Sequence, residues 1–250
     1  MSERICHFSF SVVDWHFVAD RDVPSHAWQL DEMAFLQEAK QWSISSPKLD
    51  FLPPLKRRRL SESARLFFSA SWELTQNDPH LPVVYASQNS EMNRSFALWQ
   101  SLLTEGDISP TSFSLSVHNA LIGQWSEMRQ VKQECTAIAA QQDNLETALL
   151  EAYLMLNDGA EKVLVVVVET PLHDEYTVKP VIRPPFGYAL ALVVEQGKQF
   201  SLIRQAQSAV QKMQENRLDS SLTWVQQHFL GHRSWQTSAS GNGQWLWQKN

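Results

Sequence analysis

Six consecutive apolar residues, Val163-Leu-Val-Val-Val-Val168, follow a glycine, Gly159, that closes a helical pattern opening at Asp143. An apolar, mostly β-branched run of this kind predicts a central parallel strand buried on both faces, because a strand with one wet face alternates instead. The preceding pattern predicts the helix that packs on it. Leu145, Ala148, Leu149, Ala152, Tyr153 and Leu156 share one face, and Leu150, Leu154 and Met155 add apolar surface elsewhere. Asp143 with Glu146 three residues on has the spacing of a capping box, and Gly159 suits the position after the last helical turn. Asp143 reads first as an N-cap and only second as a chemical group.

The same reading extends along the chain. Ile5–Val13 predicts a first strand, Leu81–Ala86 a short buried one, Tyr188–Val194 another, and Trp245-Leu-Trp247 a terminal one. Helices are expected from an N-cap at Ser61, over Ser90–Leu103 with Met92, Phe96, Trp99 and Leu103 on one face, over Ser116–Met128, and over Ser221–Phe229. Val131–Ala139 predicts a strand. Residues 15–54 read as an irregular insertion with a short helix near Glu32–Gln41, and 200–250 as a C-terminal extension of one domain spanning 1–250. Strands alternating with helices imply an α/β fold.

Composition removes several function classes. Hydrophobic residues make up 43% of the 250, enough for a sizeable core. The net charge of −6 argues against a nucleic-acid partner. Two cysteines, Cys6 and Cys135, exclude a disulfide framework and a Cys-rich zinc site, and fit a reduced, cytoplasmic protein. No apolar run reaches the length of a membrane span. Glycine-rich phosphate loops and a G-x-S-x-G nucleophile elbow are absent.

The segment Ser114-Leu-Ser-Val-His-Asn-Ala-Leu-Ile-Gly-Gln-Trp-Ser126, then a strand, a helix, Asn157-Asp-Gly159 and the valine run to Glu169, resembles the N-terminal half of β-ketoacyl synthases. These are condensing enzymes with a thiolase-like fold. The likeness is to a short family encoded with aryl polyene biosynthesis enzymes and similar to chain length factors, the noncatalytic partners of ketosynthases. Pro54-Leu-Lys-Arg-Arg-Arg59 and Trp245-Leu-Trp247 also look like that family. The resemblance implies a thiolase-like half-fold, a five-stranded mixed sheet with helices on both faces.

In such enzymes the nucleophilic cysteine opens the helix before the buried strand, where the helix dipole and free N–H groups lower the thiol pKa. Counting back from Gly159 puts Gln142-Asp143 there, with no cysteine in the turn. No counterpart of the C-terminal half, with its catalytic histidines and lysine, is present. The resemblance therefore implies a chain-length-factor-like subunit without catalytic residues, cofactor or metal. It would form a heterodimer with a full-length ketosynthase and meet acyl carrier protein transiently. Gln142, Asp143, His118 and Asn119 would border the acyl tunnel. Val131, Gln133, Cys135, Ala137 and Ala139 would lie on the edge strand that pairs with the partner.

Two alternatives stay open: a thiol-dependent acyl-transfer enzyme using Cys135 with His118 as base, or a pure scaffold for a ketosynthase. For Cys135 and His118 the ordinary expectations are a buried apolar residue and a structural hydrogen bond. His228 and His232 have metal-ligand spacing but lack a third ligand, so they read as surface residues. Lys56–Arg59 could attract an acidic carrier protein, but reads first as a solvated turn.

Overall fold

The computed structural model describes residues 4–177, 183–206, 218–241 and 243–250. Strand β1 (Arg4–Ala19) is followed by a 3-10 turn (Ser25–Gln29) and helices α1 (Glu32–Ala39), α2 (Pro54–Arg57) and α3 (Glu62–Ser71). Next come β2 (Val83–Ala86), α4 (Met92–Glu105), α5 (Pro110–Ser114), α6 (Ala120–Arg129), β3 (Cys135–Ile138), α7 (Asn144–Asn157) and β4 (Lys162–Glu169). The chain closes with β5 (Tyr188–Ala206), α8 (Ser220–Leu230), β6 (Ser234–Ala239) and β7 (Gly243–Lys249).

The mixed sheet has the order β3-β2-β4-β5-β7-β6, with β1 also on β5. β2 is parallel to β3 and β4, whereas β5 is antiparallel to β4, β1 and β7. The sheet is mixed, as expected, but it has seven strands rather than five. The reason lies in β5. Its first half pairs with β4, and it runs on to Ala206, leaving an edge that the C-terminal β6–β7 hairpin takes up. An uncovered edge there would expose unpaired backbone groups.

β4 is buried on both faces, as its composition predicts. Val163, Val165 and Val167 face a core shared with α7 and α8, and Leu164, Val166 and Val168 face one shared with α3 and α6. Helices thus cover both faces of the sheet. α7 ends as expected. Gly159 has φ +112, its N–H donates to Leu156 O, and Ala160 N–H donates to Met155 O, the paired bonds of a Schellman turn. Ser61 caps α3 by accepting from Ala64 N–H at 3.1 Å.

Three expectations change. Residues 15–54 are partly regular, since β1 runs to Ala19 and α1 lies where a short helix was expected. The helix expected over Ser116–Met128 starts only at Ala120, as α6, because 115–119 break it from α5 and His118 there turns its ring to Ile138 O at 3.0 Å. The strand over Val131–Ala139 shrinks to Cys135–Ile138. Val131 instead follows the left-handed Gln130 that ends α6, is buried, and exchanges hydrogen bonds with Ser126.

Candidate functional site

The carboxyl ends of β1, β2, β3 and β4 lie at one end of the sheet, and α7 begins there. Open α/β sheets place their ligand sites at this end. The turn between β3 and α7 carries Gln142, which is exposed. Asn144 ties that turn down. Its Oδ1 accepts from Ala140 N–H at 2.7 Å and its Nδ2 donates to Glu169 Oε1 at 3.0 Å.

Glu169 ends β4 as a buried carboxyl. The loop leaving β2 wraps round it, with the backbone N–H groups of Gln88 and Asn89 donating to its two oxygens. Those bonds favour the carboxylate, but burial outweighs them and pushes the pKa up to about 8. Asp219, the N-cap of α8, accepts from Ser221 and Leu222 N–H at 2.9 and 3.0 Å and is also pushed up by burial. Burial, then the charges of Asp219 and Glu169, hold the Tyr188 hydroxyl well above its usual range. Gln88, Gln142, Asn144, Glu169, Tyr188 and Asp219 line a cavity of about 30 Å³, room for about one water. Neither of the chain's two cysteines lines it. A wider cleft of about 400 Å³ at the same end lies between Asp20, Arg65 and Leu172. Its arginines are already engaged, Arg21 with Asp20 and Arg65 with the carbonyls of Arg57 and Pro47.

The acidic residues at the start of α7 do not form a capping box. Asp143 makes no side-chain cap bond. Its carboxylate accepts from Ser240 Oγ and, at 2.8 Å, from the Trp245 indole N–H. Glu146 accepts from Thr237 Oγ1 and, at 3.0 Å, from the Trp247 indole N–H. Glu146 is fully buried, and desolvation pushes its pKa up to about 7. Alternation along β7 puts Trp245 and Trp247 on one face, and helical spacing puts Asp143 and Glu146 one turn apart. The expected cap and the Trp-Leu-Trp ending are thus one device, a hairpin clamped on the amino end of α7. The capping expectation fails because both side chains are taken up by donors of the hairpin.

His118 sits at the break between α5 and α6 and stacks on Tyr85 at 5.3 Å, while Asn119 is exposed at the start of α6. Burial lowers the His118 pKa. Cys135 lies at the other end of β3, its Sγ 3.6 Å from Gln133 O, and burial raises its pKa away from the thiolate. The two do not share a site.

β3 pairs only with β2 among the described residues. Val83 N–H donates to Glu134 O and Ser87 N–H to Ile138 O, so even-numbered residues of β3 face β2. The parallel ladder then directs the backbone groups of Cys135 and Ala137 to the open edge. Gln133 and Ala139 are exposed, Cys135 and Ala137 half-buried, and Val131 buried. His228 stacks on Trp224, and His232 contacts Gln227 Oε1 at 2.6 Å. Lys56, Arg58 and Arg59 are exposed, and Arg57 pairs with Asp50 at 2.9 Å. Among the described residues there is no cluster of three or more metal-ligating side chains, and no helix long and apolar enough to cross a membrane.

Sequence reasoning did not single out Glu169, Tyr188, Asp219 or Asn144. One signal was available, a charged residue closing an otherwise unbroken apolar strand at Glu169.

The sequence profile of the family described as "Beta-ketoacyl synthase, N-terminal domain" matches residues 26–248. No curated protein matches the chain. Among solved structures, a chain of the ketosynthase ApeO in complex with its chain length factor ApeC, from Xenorhabdus doucetiae, superposes with a TM-score of 0.81 and 25% identity. The match covers 97% of this chain and 100% of that one. The ishigamide ketosynthase/chain length factor matches with a TM-score of 0.60 and 14% identity, over 80% of this chain and 68% of that one. A type II polyketide ketosynthase–acyl carrier protein complex, AntDE:AntF, matches with a TM-score of 0.53 and 16% identity, over 83% and 70%.

Proposed function

Since the chain belongs to the β-ketoacyl synthase N-terminal domain family, we propose that it is a noncatalytic, chain-length-factor-like subunit. It pairs with a full-length ketosynthase that elongates acyl chains of the aryl polyene or polyketide type on acyl carrier protein, and it helps to shape the acyl tunnel. The observation that carries this reading is the turn before α7. A condensing enzyme needs a thiolate at that helix end, to attack the acyl thioester, and donors for the oxyanion that follows. Here the turn carries Gln142, whose carboxamide is no such nucleophile, and the neighbouring Asp143 is held by the hairpin. The end-to-end match to a chain of a ketosynthase–chain length factor complex supports the pairing.

In this reading the partner supplies the nucleophile and the catalytic histidines. Gln142 borders the tunnel, while His118 and Asn119 stand behind it. The open edge of β3 pairs with the matching strand of the ketosynthase, with Gln133, Cys135, Ala137 and Ala139 along it. The decisive measurement is condensation of acyl and malonyl thioesters by the purified chain, by the ketosynthase, and by the two co-expressed. Activity is expected only where the ketosynthase is present, with a one-to-one complex by native mass. Condensation by the chain alone, abolished by Cys135→Ala, would overturn the proposal. Ala137→Pro tests the edge. Its ring removes an outward-facing donor and leaves the β2 bonds in place, so the variant should fold and lose the partner.

A further inference from the structure

The turn that carries Gln142 has no regular structure of its own, since β3 ends at Ile138 and α7 begins at Asn144. Side-chain ties must therefore hold it, and Asn144 supplies two. This residue is 7% exposed. Its Oδ1 accepts from Ala140 N–H at 2.7 Å, which closes the turn on itself. Its Nδ2 donates to Glu169 Oε1 at 3.0 Å, which anchors the turn to the end of β4. β4 is a firm anchor, because seven of its eight residues are buried.

Glu169 joins three parts of the chain. It accepts from the backbone N–H groups of Gln88 and Asn89, in the loop leaving β2, as well as from Asn144. Asn89 Nδ2 in turn donates to Thr170 O at 2.9 Å. One buried carboxyl thus sets the turn before α7 against the loop after β2. Gln88, Gln142, Asn144 and Glu169 all line the cavity of about 30 Å³ beside the turn. Space for about one water is too little for the turn to settle inward while the Asn144 carboxamide is in place. A buried donor left without a partner is costly, so the turn is held at one distance from β4.

We infer that Asn144, braced by Glu169, is a positioning residue: it fixes how far the Gln142 turn stands from the end of β4, and so the depth of the acyl tunnel and the length of the product. The inference rests on the proposed function, in which Gln142 borders the tunnel. A side chain as buried as Asn144 acts through the turn and not by contact with the acyl chain. Without the carboxamide the turn loses both ties and gains room to sink toward Glu169, which deepens the tunnel. The start of α7 stays held from its other side, because Asp143 still accepts from the Trp245 indole at 2.8 Å.

The test is product length. The chain is co-expressed with the full-length ketosynthase, the complex is supplied with acyl and malonyl thioesters of acyl carrier protein, and the products are read by mass spectrometry. With Asn144→Ala, products longer than wild type by one or more condensations should rise about 5-fold relative to those of wild-type length, the weight of one buried hydrogen bond. Leu149→Ala, further along α7, is the control for general loosening. It should lower the melting temperature and leave the product ratio unchanged. If Asn144→Ala does not bind the ketosynthase, Asn144→Asp takes its place. It keeps the shape and the bond from Ala140 N–H, offers Glu169 an acceptor instead of a donor, and should also lengthen the products. Wild-type or shorter products from a variant that binds would overturn the inference and leave the proposed function standing. So would an equal shift with Leu149→Ala, or failure of both Asn144 variants to bind where the wild type does. If the wild-type complex does not form or does not condense, the proposed function fails and this inference falls with it.

Discussion

α4 and α7 are each 14 residues long, and each carries an apolar stripe. α7 buries eight of its residues between the sheet and the C-terminal elements, whereas α4 buries none. Periodicity marks both helices equally well. What separates them is the second layer. α7 has one on its sheet side and another in the β6–β7 hairpin, which is why its first turn can hold the buried acids Asp143 and Glu146. α4 has no such cover among the described residues, and its Trp99, Leu102 and Leu103 stay exposed. Even on α7 the cover is uneven. Met155 is buried, while Leu154 is 54% exposed.

The contrast can be broken by measurement. Leu149→Ala in α7 should destabilise the free chain by about 2–5 kcal/mol through lost burial and a residual cavity, read from urea unfolding. An equal loss from Leu103→Ala in α4 would show that the two helices do not differ as described.

Trp245→Phe removes the indole donor from Asp143 and should lower stability by about 1.5–3 kcal/mol. Asp143→Ala should cost a similar amount, and the pair should be non-additive in a double-mutant cycle because both break one contact. Additive losses would return Asp143 to a helix-capping role.

The buried acids sharpen the same point through pH. Glu146 and Glu169 have folded-state pKa values raised from 4.5 to about 7 and about 8. Between the unfolded and folded values the native state binds more protons than the unfolded state. Stability therefore falls as pH rises from about 5 to about 8, then levels off. Glu146→Gln should remove on the order of 3 kcal/mol of that fall, mostly below pH about 7, as followed by melting temperature against pH. An unchanged profile would mean that Glu146 is ionised in the folded chain.

The smallest effect belongs to α4. Leu103→Ala should change the stability of the free chain by less than about 0.5 kcal/mol, the usual range for surface positions. A larger loss would reveal a covering contact within the chain itself.

Much of the sheet was legible because burial on both faces needs an unbroken apolar run, as Val163–Val168 and Tyr188–Val194 have. The helix before it was legible from its stripe and from Gly159, whose positive φ a side chain would resist. The site was legible only where chemistry sits in one short stretch, as with Gln142 in the turn before α7. Glu169, Tyr188 and Asp219 come from the ends of three elements far apart in the chain, and no local pattern joins them. Asp143 and Glu146 had the spacing of a cap, and spacing alone could not reveal that Trp245 and Trp247 would reach them.

Local rules, then, were determined by the sequence itself: which segments are apolar on both faces, which on one, and where helices stop. Those properties depend on neighbours within a few residues, and backbone sterics and side-chain type settle them. Partnership was decided only in three dimensions. The length of β5, the hairpin it recruits, the raised pKa of Glu169 and the uncovered side of α4 all depend on which distant surfaces meet. Burial and the electrostatic environment are properties of the packed chain, and they arise only once those surfaces have come together.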